Sequence, residues 1–348
     1  MIIRVSRPGV REGARTGARA SSTRRAARAA LGALLALTFL APAPAAAAAP
    51  EATAAGAPGD PVRYAFVRRC TEDGTPTPCG PWRLRMRSGR TVRLPDARVH
   101  PRTARGAKVA NRTAPFAISG DGGTVAYFRG DDRLVVRRIG GPVRALPYRP
   151  DGTDLVTLYL SGDGGRLAAE TGGDPERRPA VVYDTATGAV ALRLPGSLVF
   201  QGFGGENGTA VLTAAPRGDT VTRLAAFGPD GVPLFDVAPP RAVADNGPYA
   251  LAPDGRTVAF VDDGERAALG LYDARAGTLR RIPLRLAADD IVDGLGWSGE
   301  TLVTVRLSRL GGRQDTIRVL QVDTATGAAR VRESYTIGGD VYGATPDA

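Results

Sequence analysis

The chain has 348 residues, 43% of them hydrophobic and 23% charged, with 45 glycines, 27 prolines, two cysteines and one histidine. That is enough apolar content for a packed domain, and a single histidine excludes a multi-histidine metal centre. The formal net charge of +11 points toward polyanions only until it is located: residues 1–49 hold eight arginines and one glutamate, so +4 remains for the rest.

Arginines from Arg4 to Arg28 form a basic opening, followed by the apolar run Ala29–Ala41, Pro42, Pro44 and the small-residue tract Ala45–Ala49. This order predicts a secretory signal peptide over 1–49, cleaved near Ala47 to Ala49. The apolar run has about 13 residues, short of the ~20 of a spanning helix, so no transmembrane anchor is expected in the mature chain. Arg24 and Arg25 read as ordinary basic residues of the leader and not as a twin-arginine signal. The absence of a cysteine near the cleavage region argues against a lipid anchor. Residues 50–61, rich in Pro, Ala and Gly, read as a flexible linker.

Residues 61–112 carry thirteen Arg and Lys against Glu72, Asp73 and Asp96. Strands are predicted at Val62–Arg69, Pro81–Arg87 and Thr91–Leu94. Cys70 and Cys79 enclose a turn-rich segment, and an even cysteine count in an exported chain predicts a disulfide between them. Arg63, Arg69, Arg83, Arg85, Arg87 and Arg93 fall at alternate strand positions, which places several on one sheet face. Arg98, Arg102, Arg105, Lys108 and Arg112 add a flexible positive loop, a candidate surface for an anionic envelope polymer or an acidic partner protein. The competing reading is a solvated, arginine-rich blade. Nucleic acid is not expected, because no stacking aromatics interleave the basic residues.

From here the chain repeats. Gly89, Gly141, Gly188, Gly231, Gly277 and Gly327 sit in turns between short apolar runs, 43–52 residues apart. A second element precedes the last five by about 20 residues: Ser119-Gly120-Asp121-Gly122, Ser161-Gly162-Asp163-Gly164, Ala252-Pro253-Asp254-Gly255, and weaker copies at 205–212 and 297–303. Asp-Gly supplies the positive φ of a tight hairpin, and the alternating apolar residues after it form a strand. Each unit reads as strand a, Asp-Gly turn, strand b, loop, strand c, Gly turn, strand d. A period of about 40–50 residues with four strands per unit is that of a β-propeller.

Residues 249–261 (YALAPDGRTVAFV) with Leu271-Tyr272-Asp273 resemble the repeat of TolB-like and WD40-like propellers. The resemblance covers residues 62–348 and implies the fold, not an activity. TolB proper carries an α/β domain ahead of its propeller, which residues 1–61 do not supply. The first unit lacks a strand a, and Val341-Tyr342-Gly343-Ala344-Thr345-Pro346-Asp347 matches residues 248–254 at Tyr, Pro and Asp. The expectation is an all-β, six-bladed β-propeller over 62–348, closed by a C-terminal strand pairing into the first blade. Closure removes a sheet edge that would otherwise invite association.

Variable b–c and d–a loops share one face of such a ring, and function concentrates on variable loops. His100 reads as a surface residue, and no Gly-x-Ser-x-Gly elbow offers a nucleophile. Asp121, Asp163 and Asp254 read as turn formers. Asp262, Asp263 and Glu265, and Asp289, Asp290 and Asp293, are oxygen donors with a weak claim on Ca²⁺, since neither group has the spacing of a calcium loop. These observations favour an exported, monomeric, non-catalytic binding propeller without a cofactor. The alternative is a propeller enzyme such as a Ca-dependent lactonase or sugar dehydrogenase.

Overall fold

Every unit folds as its turn chemistry dictates. The computed structural model describes residues 52–53, 59–172, 178–205, 208–262, 264 and 266–347. The signal peptide expected over 1–49, most of the linker, Asp263 and Glu265 lie outside the described residues.

The first sheet contains β1 (Ala52–Thr53), β2 (Val62–Glu72), β3 (Thr75–Met86) and β4 (Thr91–Leu94). The second is β5 (Phe116–Ile118), β6 (Thr124–Phe128), β7 (Leu134–Arg138) and β8 (Val143–Ala145); the third is β9 (Val156–Leu160), β10 (Arg166–Thr171), β11 (Arg178–Asp184) and β12 (Val190–Arg193). The fourth is β13 (Val199–Gly204), β14 (Ala210–Arg217), β15 (Thr220–Phe227) and β16 (Pro233–Val237). One helical turn, α1 (Arg241–Ala244), precedes the fifth sheet: β17 (Tyr249–Leu251), β18 (Thr257–Asp262), β19 (Ala268–Asp273) and β20 (Thr278–Pro283). The sixth is β21 (Ile291–Ser298), β22 (Leu302–Arg309), β23 (Gln314–Asp323) and β24 (Ala329–Gly338). Finally β25 (Val341–Ala344) returns to the first sheet, whose order is β1-β4-β3-β2-β25. The molecule is a six-bladed β-propeller.

Closure follows the predicted match: Ala65 faces Ala344, Phe66 faces Gly343 and Val67 faces Tyr342 in an antiparallel ladder. In the segment read as linker, Ala52 and Thr53 pair parallel with Val92 and Arg93 on the outer edge of β4.

The turns behave as read. Asp121 and Asp163 accept the N–H two residues on, from Gly123 at 2.8 Å and Gly165 at 2.9 Å, while Asp254 accepts from Arg256 and Thr257. At the c–d turns φ is positive at Gly89, Gly188, Gly231, Gly277 and Gly327; in the second blade it is Gly140, not Gly141, that takes it. The segment 71–78, read as a loop, is instead the end of a long hairpin. Asp73 and Gly74 both have positive φ, +49° and +76°, the two-residue turn that joins strands with their native twist.

Blades pack face to face, so β6 is buried at every position. Five apolar clusters fill five of the six interfaces. Trp82 and Leu84 meet Tyr127 between the first and second blades; Phe128 meets Leu158; Val182 meets Phe200; Leu212 meets Phe260; and Leu269 meets Val305 between the fifth and sixth. Among the described residues no such cluster joins the sixth blade to the first. That interface carries Arg83, Arg306 and Ser308, buried at 9%, 8% and 1% exposure, together with Tyr64 and Tyr335.

Candidate functional site

Two hairpins rise from the variable face near the first blade. The first is the tip of β2 and β3, where Cys70 and Cys79 are bonded and their Cα atoms lie 5.8 Å apart. The second is the segment 100–112, read as a flexible loop but folded on itself. Arg102 and Lys108 form a bridge, the Thr103 amide donates to Ala107 O at 2.9 Å, and Gly106, at φ +79°, donates to Thr103 O at 2.8 Å. This small hairpin rests on the next loop. The amides of Thr153 and Asp154 donate to Arg102 O at 2.7 and 3.1 Å, and the Arg102 amide donates to Thr153 Oγ1 at 2.9 Å. Gly152 is required there: a Cβ would stand 2.6 Å from the amide nitrogen of Ala104.

The basic residues of this segment divide into two groups. Arg102, Arg105 and Lys108 are exposed at the tip. Arg98 is not part of that surface. Its side chain is 11% exposed, pairs with Asp132 Oδ1 at 2.9 Å and donates to the carbonyls of Arg129 and Gly130, tying the d–a loop to the b–c loop of the second blade. Arg112 is half-buried. His100, at the base of the hairpin segment, is half-buried. Burial and the nearby Lys108 charge lower its pKa, so the imidazole is neutral at physiological pH.

The arginines of the first sheet are similarly committed. Arg63 Nε donates to Glu333 Oε1 of β24 at 2.8 Å, and its guanidinium lies 5.7 Å from the Tyr335 ring centre. Arg87 reaches the other Glu333 oxygen at 3.8 Å, Arg69 covers Tyr342, and Arg85 donates to Thr91 Oγ1. Of these, Arg63 and Arg87 turn toward the sixth blade, where both meet Glu333.

The acidic candidates are held by arginines. Asp262 lies 3.4 Å from Arg281, and Asp289 pairs with Arg309 at 2.8 Å. The Asp290 side chain is fully enclosed, pairing with Arg309 at 3.1 Å and with Arg318 while accepting the Ala287 N–H at 2.8 Å. Burial opposes its ionisation, but that N–H and the two guanidinium groups outweigh it and keep the carboxyl below the usual range. Asp293 behaves oppositely: burial raises its pKa, against the Ser308 hydroxyl and the Arg306 charge. Among the described residues no three of His, Cys, Asp and Glu converge as metal ligands.

A further polar cluster had no signal in the sequence. Arg306 Nη1 donates to Thr345 Oγ1 at 3.2 Å, and Asp347 Oδ2 accepts the Leu160 N–H at 2.7 Å. An isolated arginine in a strand reads as outward-facing, and Asp347 reads as a turn former by analogy with Asp254.

No family model matches the chain, and no curated protein matches it. Among solved structures it is similar to a TolB-type protein from Agrobacterium tumefaciens, at 13% identity and a TM-score of 0.44, over 80% of this chain and 96% of that one. An oligogalacturonate lyase in complex with manganese matches at 11% identity and 0.44, covering 76% and 73%. Dipeptidyl peptidase 4 of Porphyromonas gingivalis matches at 12% and 0.37, over 64% of this chain and 40% of that protein. The likeness concerns the fold alone. Among the described residues no helix is long and apolar enough to cross a membrane.

Proposed function

We propose that this protein is an exported, non-catalytic interaction propeller that binds an anionic envelope polymer through the variable face of its first blade. The observation that carries the reading is the ordered hairpin presenting Arg102, Arg105 and Lys108 together, seated against the 150–154 loop and beside a disulfide-stapled hairpin. Ordering matters because charges already held in place lose less conformational entropy on binding. The leader pattern and the disulfide support an extracytoplasmic address. Pairing of the acidic loop residues with Arg281, Arg309 and Arg318 favours binding over Ca-dependent catalysis, and in this reading the protein acts without a cofactor.

The test is co-sedimentation of the chain lacking residues 1–49 with a polyphosphate- or polycarboxylate-bearing wall polymer. Binding is expected at low ionic strength and should weaken steeply toward 0.15 M salt, where the screening length is about 8 Å. Replacing Arg102, Arg105 and Lys108 with Ala should abolish it. Binding that ignores both salt and these substitutions would refute the proposal.

A further inference from the structure

Alternation gives the first sheet two chemically opposite faces. Val62, Ala65, Leu84 and Met86 turn toward the second blade and join the apolar cluster there. The alternate positions, Arg83 and Arg85 of β3 and Arg87 just past its end, turn the other way, toward the sixth blade. The register extends that face: Arg85 stands opposite Tyr64 and Thr91, and Arg83 opposite Phe66 and Arg93. A bulge between Val62 and Tyr64 puts Arg63 beside Tyr64 on the same side, where both meet the Tyr335 ring of β24. Arg63 thereby lies abreast of the stretch of chain between Arg85 and Arg87.

These three guanidinium groups share one carboxylate. Arg63 takes one Glu333 oxygen at 2.8 Å, and Arg87 lies 3.8 Å from the other. The Arg87 Nε is enclosed and donates no hydrogen bond to any described residue. Arg85 donates to the neutral Thr91 hydroxyl at 3.1 Å and forms no ion pair among the described residues. Asp60, at the adjoining turn, is held by Ser88 and Arg90. Once Glu333 is set against Arg63, Arg85 and Arg87, two positive charges remain. Charge without a counter-ion is costly in a partly enclosed site, and the guanidinium fork matches the oxygens of a phosphate group. Arg63 and Arg87 keep side chains 30% and 32% exposed, so an anion reaches them from solvent.

We propose that the seam between the sixth and first blades binds a phosphate group, free or at the end of a small molecule, through Arg85 and Arg87, with Arg63 and Glu333 as its wall. The charges correspond: a phosphate ester carries nearly two negative charges at neutral pH, equal to the excess on the three arginines. Glu333 sets the orientation. It already holds Arg63 and repels an anion, so the phosphate oxygens fall to Arg85 and Arg87. Tyr64 and Tyr335 are stacked on each other behind these side chains and give the site a rigid floor. The seam site shares no residue with the hairpin tip of Arg102, Arg105 and Lys108, and it stands or falls independently of polymer binding there.

Calorimetric titration of the full chain with inorganic phosphate and with glycerol phosphate, at neutral pH and fixed ionic strength, tests this. Saturable binding at one site is expected, with sodium chloride as the matched control. Arg85→Gln and Arg87→Gln should each weaken it about tenfold, the loss of one charged hydrogen bond. Glu333→Gln should tighten it about threefold by removing a repelling charge, a gain that damaged packing would not produce. Arg105→Ala, on the hairpin, should leave it unchanged. Tighter binding of the ester than of free phosphate makes the ligand a larger molecule, and the reverse makes it the free ion; both support the site. No saturable binding, glutamine variants at wild-type affinity, or binding lost in Arg105→Ala would each overturn it. Should Glu333→Gln not fold, the two arginine variants and Arg105→Ala decide.

Discussion

Tyr64 of β2 and Tyr335 of β24 lie face to face, ring centres 5.7 Å apart and planes 6° from parallel, across the seam where the ring closes. Around them are the Arg63–Glu333 pair, buried Arg83 and Arg306, and the Arg63 guanidinium over the Tyr335 ring. Stacking and charge here take the place of the apolar clusters that fill the other five interfaces. The seam is built from contacts that water can compete for.

This difference should be measurable by truncation on the two sides of the ring. Phe260 is fully buried against Gly270 in the apolar core between the fourth and fifth blades. Phe260→Ala should cost about 3–5 kcal/mol. Tyr335→Ala should cost about 1–2 kcal/mol, the aromatic-pair term plus part of its area. Urea denaturation of both variants checks the order, and equal losses would contradict the seam's weakness.

Arg98 and Arg105 are seven residues apart in one segment and are expected to respond differently. Arg98 holds two carbonyls and Asp132 from an 11% exposed side chain, so Arg98→Ala leaves acceptors unpaired and should destabilise by about 1–3 kcal/mol. Arg105 is exposed, and Arg105→Ala should stay within about 0.5 kcal/mol. Thermal unfolding separates the two, and polymer binding should show the reverse ranking.

The fold was legible because the information that sets it is local. Asp-Gly turns and alternating apolar residues name strands without knowledge of their neighbours, and the Tyr342 match to Tyr249 revealed closure. The β2–β3 tip was misread because Pro76 and Pro78 count against a strand. They are tolerated because β4 pairs only with residues 82–85 of β3, leaving the tip with a free edge. Site residues were harder to read, since their meaning lies in distant partners. Nothing near Asp290 announces Arg318, 28 positions on, and nothing near Asp347 announces Leu160.

Reducing the Cys70–Cys79 bond should loosen the hairpin tip and leave the ring folded. In the chain-entropy view a cross-link of about ten residues contributes roughly 2.5 kcal/mol. The tip projects past the paired region of β4, so little of the interblade core depends on it. Hydrogen exchange before and after reduction should show lost protection at 68–80 only. A collapse of cooperative unfolding on reduction would show that the tip carries the first blade.

Asp290 supplies a clear acid-dependent contribution to stability. Its folded carboxyl titrates below the ordinary 3.8, despite burial, because Ala287 N–H and the Arg318 and Arg309 guanidinium groups favour the charged form. Protons therefore bind more readily to the unfolded chain, and the stabilisation is present above 3.8 and lost as pH falls through the lowered value. Asp290→Asn keeps the size and one acceptor but removes the charge that two arginines share. At pH 7 the substitution should destabilise by about 2–4 kcal/mol, since it strips both guanidinium groups of a shared counter-ion. Denaturation at pH 7 and at pH 2.5 should show the gap between wild type and variant narrowing at the acid end. A gap independent of pH would mean that Asp290 acts through shape and not through charge.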